Sequence, residues 1–242
     1  MKSILITGAS SGIGLATAEL FLNEGWCVGL LARREELLED VASRYDTAVA
    51  LPADVTDELA VQEAVAGFAD VAGRLDVLFN NAGMFGKQAE IDEISYADWR
   101  AVVDVNLHGM FLAAQAAYGQ MKKQDPKGGR IINNGSISAH SPRENSISYT
   151  ATKHAITGMT KTLSLDGRAH DIACGQIDIG NARTALVTEL DERRAMNGFE
   201  PLPSMDVGEA ARAVLHMANL PPEANVQFMT IMASKMPFIG RG

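Results

Sequence analysis

With 242 residues, 30 acidic against 21 basic side chains and a formal charge of −9, the chain is sized for one domain with a large core. The acidic balance argues against a general nucleic-acid binder, whose affinity rests on neutralising phosphates with Lys and Arg. No apolar stretch approaches bilayer-spanning length and no Cys/His cluster has metal-ligand spacing, so neither a membrane protein nor a metal site is expected.

The opening residues Met1-Lys2-Ser3-Ile4-Leu5-Ile6-Thr7 run straight into a glycine turn without a small-residue cleavage site. Ser3–Thr7 therefore reads as a strand, not as part of a signal peptide. Further strand-like runs are Cys27–Leu31, Thr47–Leu51, Val77–Asn80, Arg130–Asn134, Ile172–Ile177 and Gln227–Met232. Helical patterns fill the gaps at roughly 13–23, 35–44, 58–72, 96–121, 147–168 and 206–218, the last stopped by Pro221-Pro222. Near-continuous apolar strands alternating with helices predict an α/β fold with a doubly wound parallel sheet of seven strands, helices on both faces and a ligand crevice at the strands' carboxyl ends. One domain over 1–242 is expected. Residues 185–204 have weak periodicity and read as a flap over the crevice. Cys27 and Cys174 each lie in an apolar run, as buried reduced thiols would, which points to a cytoplasmic protein.

Between the first strand and the first helix lies Thr7-Gly8-Ala9-Ser10-Ser11-Gly12-Ile13-Gly14. Glycines allow a sharp turn and close approach of backbone N–H groups to a pyrophosphate, and the helix N-terminus favours an anion. Such a turn is a weak signal alone. Here three residues separate the first two glycines, Asn80-Asn81-Ala82-Gly83 closes the fourth strand, and Tyr149-Thr150-Ala151-Thr152-Lys153 opens a helix. Taken together, from about residue 3 to about 218, these motifs resemble the short-chain dehydrogenase/reductase family. That likeness implies a Rossmann-type nicotinamide-dependent oxidoreductase acting on a small carbonyl or alcohol.

A spacing of four puts Tyr149 and Lys153 on one helix face, where the ammonium can favour phenolate and lower the phenol's pKa toward the working range. Such a pair is common on helices, and its context carries the weight. The resemblance implies that Ser136, thirteen positions before Tyr149, donates to the developing alkoxide, with Ser138 as the competing serine. It also implies that Asn106 distorts its helix so that a water links it to Lys153 and relays protons. The expected catalytic set is Asn106, Ser136, Tyr149 and Lys153.

The expected cofactor-binding set is Gly8, Ser10, Ser11, Gly12, Ile13, Gly14, Arg33, Arg34, Asp54, Val55, Asn81, Ala82, Gly83, Tyr149, Lys153, Ile179, Ala182 and Thr184. By resemblance, Asp54-Val55 flank the adenine ring and Thr184 binds the nicotinamide carboxamide. Ile179 stands where the family usually has proline, which removes a φ restraint at the hinge of the flap. NAD-preferring relatives end the second strand with an acid; this chain has Ala32 there, followed by Arg33-Arg34. NADP(H) is therefore the expected cofactor, with NAD(H) as the alternative. Arg33 is the expected partner of the 2′-phosphate, while Arg34 either assists or merely opens the next helix.

The substrate is less legible. Met84, Phe85, His140, Pro142, Asn145, Leu186 and Val187 are the expected pocket residues, and Arg143 reads as a solvated loop residue rather than a contact for an acidic substrate. A broad carbonyl reductase competes with a 3-oxoacyl thioester or polyol enzyme. A cofactor-binding sensor without turnover is the alternative of another class, disfavoured because all four reactive positions are retained. The resemblance implies a homodimer or homotetramer paired through the helices around 96–121 and 147–168. The apolar ending over 233–242 is expected at a subunit interface, with a frayed terminus as the alternative.

Overall fold

The structure, a computed structural model, describes residues 1–196 and 198–239; the side chains of Leu186, Glu189, Leu190, Arg193 and Arg194 lie outside the description. Its strands are β1 (Ser3–Thr7), β2 (Cys27–Ala32), β3 (Ala48–Pro52), β4 (Val77–Asn80), β5 (Gly129–Asn134), β6 (Ile172–Gly180), β7 (Ala182–Arg183), β8 (Met205–Asp206) and β9 (Phe228–Met232). Seven of them form one parallel sheet in the order β3-β2-β1-β4-β5-β6-β9, while β7 and β8 pair separately. The doubly wound Rossmann-type fold is as expected. The chain leaves β1 toward β2 and β3, then crosses back to β4 on the other side, so the crevice lies beyond the ends of β1 and β4.

The helices are α1 (Gly12–Asn23), α2 (Glu35–Ala42), α3 (Glu58–Ala72), α4 (Tyr96–Val103), α5 (Met110–Lys123), α6 (Ile147–Gly167), α7 (Ala185–Met196) and α8 (Val207–Ala218). One core joins the sheet to α1, α2 and α8 through residues such as Phe21, Leu38 and Val214. The other face packs α3 and α5 through Phe68 and Ala113, with Leu163 of α6 at its edge. Gly29 in the middle of β2 answers to this packing: a Cβ there would lie 2.8 Å from Leu5 and 2.9 Å from the Phe68 ring.

Two elements differ from the sequence reading. The helix expected over 96–121 is widened at Asp104–Gly109 into a π-helical turn, the distortion that the resemblance implies at Asn106. Residues 185–196 form α7 inside the expected flap. Val187 is buried while Ala185, Thr188, Glu192, Ala195 and Met196 are exposed, so the helix carries little apolar periodicity to read.

Candidate active site

The ends of β1, β4 and β5 are tied by side chains. Thr7 Oγ1 accepts from the N–H groups of Asn81 (2.8 Å) and Ala82 (2.9 Å), and Asn81 Nδ2 donates to the Thr7 carbonyl at 2.9 Å. Asn134 Nδ2 in turn donates to Asn81 Oδ1 at 2.8 Å. Against this frame the glycine turn folds tightly. Gly8 and Gly12 have φ of +69° and +57°, and a Cβ on Gly14 would stand 2.2 Å from the Gly8 carbonyl oxygen. Ser11, at the start of α1, makes no side-chain cap bond, so the first N–H groups of the helix keep free donor capacity. A backbone cradle with no room for side chains, at an uncapped helix N-terminus, fits a dinucleotide pyrophosphate.

A cavity of about 440 Å³ opens above these strand ends. Every residue of the expected catalytic and cofactor sets lines it, except Gly14 and Asn106. Gly14 acts through packing, as its contact with Gly8 shows. Asn106 sits behind the wall: its Oδ1 accepts from Met84 N at 2.8 Å, and its Nδ2 donates to the Met84 carbonyl at 2.9 Å and to Thr152 Oγ1 at 3.3 Å. The π-helical turn thus pins the segment after β4 to α6.

Tyr149 and Lys153 share one face of α6, with the Lys153 Nζ 5.5 Å from the centre of the Tyr149 ring. Lys153 is 3% exposed, and its Nζ donates to the Asn134 carbonyl at 2.7 Å. Burial pulls this ammonium down to about 8, against Asp178, which raises it. The phenol behaves differently from the sequence expectation. Burial raises the Tyr149 pKa, the Ser136 hydroxyl and the Arg143 guanidinium pull it down, and Asp178 raises it further. Desolvation outweighs the local charges, so the resting phenol is protonated at neutral pH.

Ser136 is held by its backbone. Its N–H donates to Asp178 Oδ1 at 2.8 Å, and its Oγ accepts from Ser138 N at 3.1 Å. Ser138 therefore serves Ser136 through its N–H, although its side chain also lines the cavity. Asp178, fully buried in β6, also accepts from Gln176 Nε2 at 2.8 Å and faces His140 Nε2 at 2.7 Å. Sequence reasoning missed it as a support for Ser136. A charged residue in a strand that is mostly apolar was the available signal.

The pocket expectation needs revision in part. Met84, Phe85 and Val187 line the cavity, and so does Met236 from the C-terminal segment. His140 turns instead to Asp178 and meets the Phe238 ring edge-on at 6.5 Å, while Pro142 and Asn145 line a separate small hollow. The Leu186 side chain and the terminal Gly240, Arg241 and Gly242 lie outside the described residues. Arg143 is half-buried, not solvated: its guanidinium stands 5.5 Å from the Phe85 ring and 5.9 Å from the Tyr149 ring. Two aromatic faces offer the cation an attractive surface away from bulk water.

At the other end of the cavity the two arginines differ in their partners. Arg34 Nη2 donates to Ser10 Oγ and Ser11 Oγ, both at 2.9 Å, placing its charge across the glycine turn. Arg33 lies 3.8 Å from Asp54 with its side chain 75% exposed. Thr184 sits over the turn, its methyl carbon 3.3 Å from where a Gly12 Cβ would be. Among the described residues, no three His, Cys, Asp or Glu side chains cluster to hold a metal, and no helix is long and apolar enough to cross a membrane.

The family model for the short chain dehydrogenase matches residues 2–195. The chain belongs to the short-chain dehydrogenase family. Among its relatives, glucose 1-dehydrogenase 2 of Bacillus subtilis is 35% identical over 188 residues, spanning 76% of this chain and 72% of that protein. A 3-ketoacyl-(acyl-carrier-protein) reductase from Brucella melitensis, solved with NADH, is 26% identical with a TM-score of 0.86, covering 96% of this chain and 97% of its own. ElxO, solved with NADP bound, is 27% identical with a TM-score of 0.85 over the same shares. This short-chain dehydrogenase is accordingly an NAD(P)-dependent oxidoreductase.

Proposed function

We propose that the protein interconverts a small carbonyl compound and its alcohol with NADP(H) as preferred cofactor, Tyr149 serving as the acid/base. The observation that carries this reading is the juxtaposition of Tyr149, Ser136 and the buried Lys153 in one cavity wall that continues to the glycine cradle. When bound, the nicotinamide supplies or accepts the hydride. The chain's own residues manage the proton. A phenol kept protonated by burial is ready to donate to a carbonyl oxygen. The phenolate left behind is then stabilised by the Ser136 hydroxyl and by the Lys153 and Arg143 charges. Asn106 holds Met84 and Thr152 in register, and a water linking it to Lys153 would return the proton.

Support for NADP(H) comes from Ala32 at the end of β2 and from Arg34, which together with Ser10 and Ser11 presents donors and positive charge for a 2′-phosphate. Exposed Tyr96, Phe111 and Leu165 on α4, α5 and α6 support a homo-oligomer paired through those helices. The test is absorbance of the reduced cofactor with ketones, aldehydes and alcohols supplied in turn. Turnover faster with NADPH than with NADH supports the proposal. Tight cofactor binding without turnover of any of them contradicts it.

A further inference from the structure

We infer that Arg143 binds a carboxylate on the substrate, making the reacting compound a short-chain hydroxy acid or the matching oxo acid. The inference rests on the oxidoreductase reading above and names its substrate class. Arg143 follows the short turn after β5 and stands between the cavity, beside Phe85 and Tyr149, and the small hollow lined by Pro142 and Asn145. Its Nε is enclosed and has no hydrogen-bond partner. Among the described residues no carboxylate lies within ion-pair distance of it, although acidic side chains outnumber basic ones by 30 to 21. Enclosing a guanidinium donor without a partner is unfavourable, and contacts with the Phe85 and Tyr149 rings offset only part of that cost. A planar fork left unpaired at the wall of a cavity matches a carboxylate, which accepts two parallel N–H bonds.

Distance sets the size of the acid. The guanidinium carbon is 5.9 Å from the ring whose hydroxyl meets the reacting oxygen, so only a few bonds separate the carboxylate from the reacting carbon. The remaining wall, with Met84, Phe85, Val187 and Met236, is apolar and suits a short carbon chain. Binding also feeds back on the acid. Arg143 favours phenolate at Tyr149, and a bound carboxylate cancels that charge, leaving the phenol protonated for donation. In the reductive direction the Tyr149 phenol gives its proton to the carbonyl oxygen, and bound reduced nicotinamide would supply the hydride to the carbonyl carbon. The carboxylate is unchanged.

The experiment uses the full-length protein with short-chain 2- and 3-hydroxy acids, their methyl esters and the phosphate monoesters of short diols. An acid should exceed its methyl ester in kcat/KM by about 100-fold, the value of a good charge-assisted pair. Arg143→Met should bring that ratio near one, and Arg143→Lys should keep part of it. Effects of the substitution on Tyr149 cancel in the ratio. As a second readout that needs no variant, a short saturated carboxylate should inhibit the wild type far better than its amide. Esters or phosphate monoesters preferred over acids by the wild type, or an unchanged ratio in a folded Arg143→Met, overturn the inference while leaving the oxidoreductase reading in place. No turnover of any neutral or acidic compound by cofactor-bound wild type removes the reading beneath it.

Discussion

Replacing Asp178 by alanine removes the acceptor for three groups at once: Ser136 N–H, Gln176 Nε2 and His140 Nε2. Ser136 N–H becomes a buried donor without a partner, at about 1–3 kcal/mol, whereas Gln176 Nε2 loses its charged acceptor but keeps Thr157 Oγ1 at 3.1 Å. With the weakened Gln176 bond and the lost packing added, Asp178→Ala should destabilise the fold by roughly 2–4 kcal/mol. In a domain of this size that lowers the Tm by roughly 5–15 °C. Asp178→Asn keeps an oxygen for the Ser136 and Gln176 donors, so its loss should be about 1 kcal/mol. Paired thermal melts of both variants measure the contrast. Kinetics supply an independent check, because Asp178 raises both Tyr149 and Lys153. Removing its charge favours phenolate and disfavours ammonium, so both groups should titrate at lower pH in a folded Asp178→Asn. Melts that do not separate alanine from asparagine, together with an unshifted pH–rate profile, refute the reasoning.

Arg34→Ala should lower the kcat/KM preference for NADPH over NADH by roughly 10- to 100-fold, the worth of one charge-assisted contact. Arg33→Ala should do less, since that side chain is mostly in solvent; steady-state kinetics with both cofactors decide the order. Gly14→Ala would force a Cβ to 2.2 Å from the Gly8 carbonyl oxygen, so NADPH fluorescence titration should show binding lost or severely weakened. Lys153 titrates near 8 when folded, below its ordinary value of 10.5, so between those pH values the unfolded chain holds a proton that the folded chain has released. The Lys153 contribution to wild-type stability therefore rises with pH across that window. Lys153→Met lacks this gain, and its Tm relative to wild type should fall from pH 8 to pH 10; a pH-independent difference contradicts the buried-ammonium account.

The parts of the site legible in the sequence are those whose chemistry is local. Gly8, Gly12 and Gly14 are readable because only glycine fits their turn, and Tyr149 and Lys153 because a spacing of four fixes their common face. The strand pattern likewise suffices for the sheet, since apolar runs buried on both faces require it. Contacts across long separations leave no such trace. Asp178 reaches Ser136 only because β5 and β6 pair with Asn134 opposite Ile177. Gly135 marks that meeting, for a Cβ there would lie 2.1 Å from Asp178 Oδ1. Arg143 has the composition of a surface loop residue, and nothing local shows that Phe85 folds beneath it. Spacing reports proximity but not desolvation, and it is desolvation that pushes the Tyr149 phenol up. Helix α7 escaped notice because most of its described side chains face solvent.

The most direct test of Tyr149 as the proton carrier is single-turnover hydride transfer by Tyr149→Phe, with NADPH binding verified by fluorescence. The variant should bind cofactor like the wild type, yet reduce a carbonyl substrate more slowly by about 100-fold or more. Reduction at the wild-type rate would show that the proton comes from elsewhere and that the acid has been misassigned.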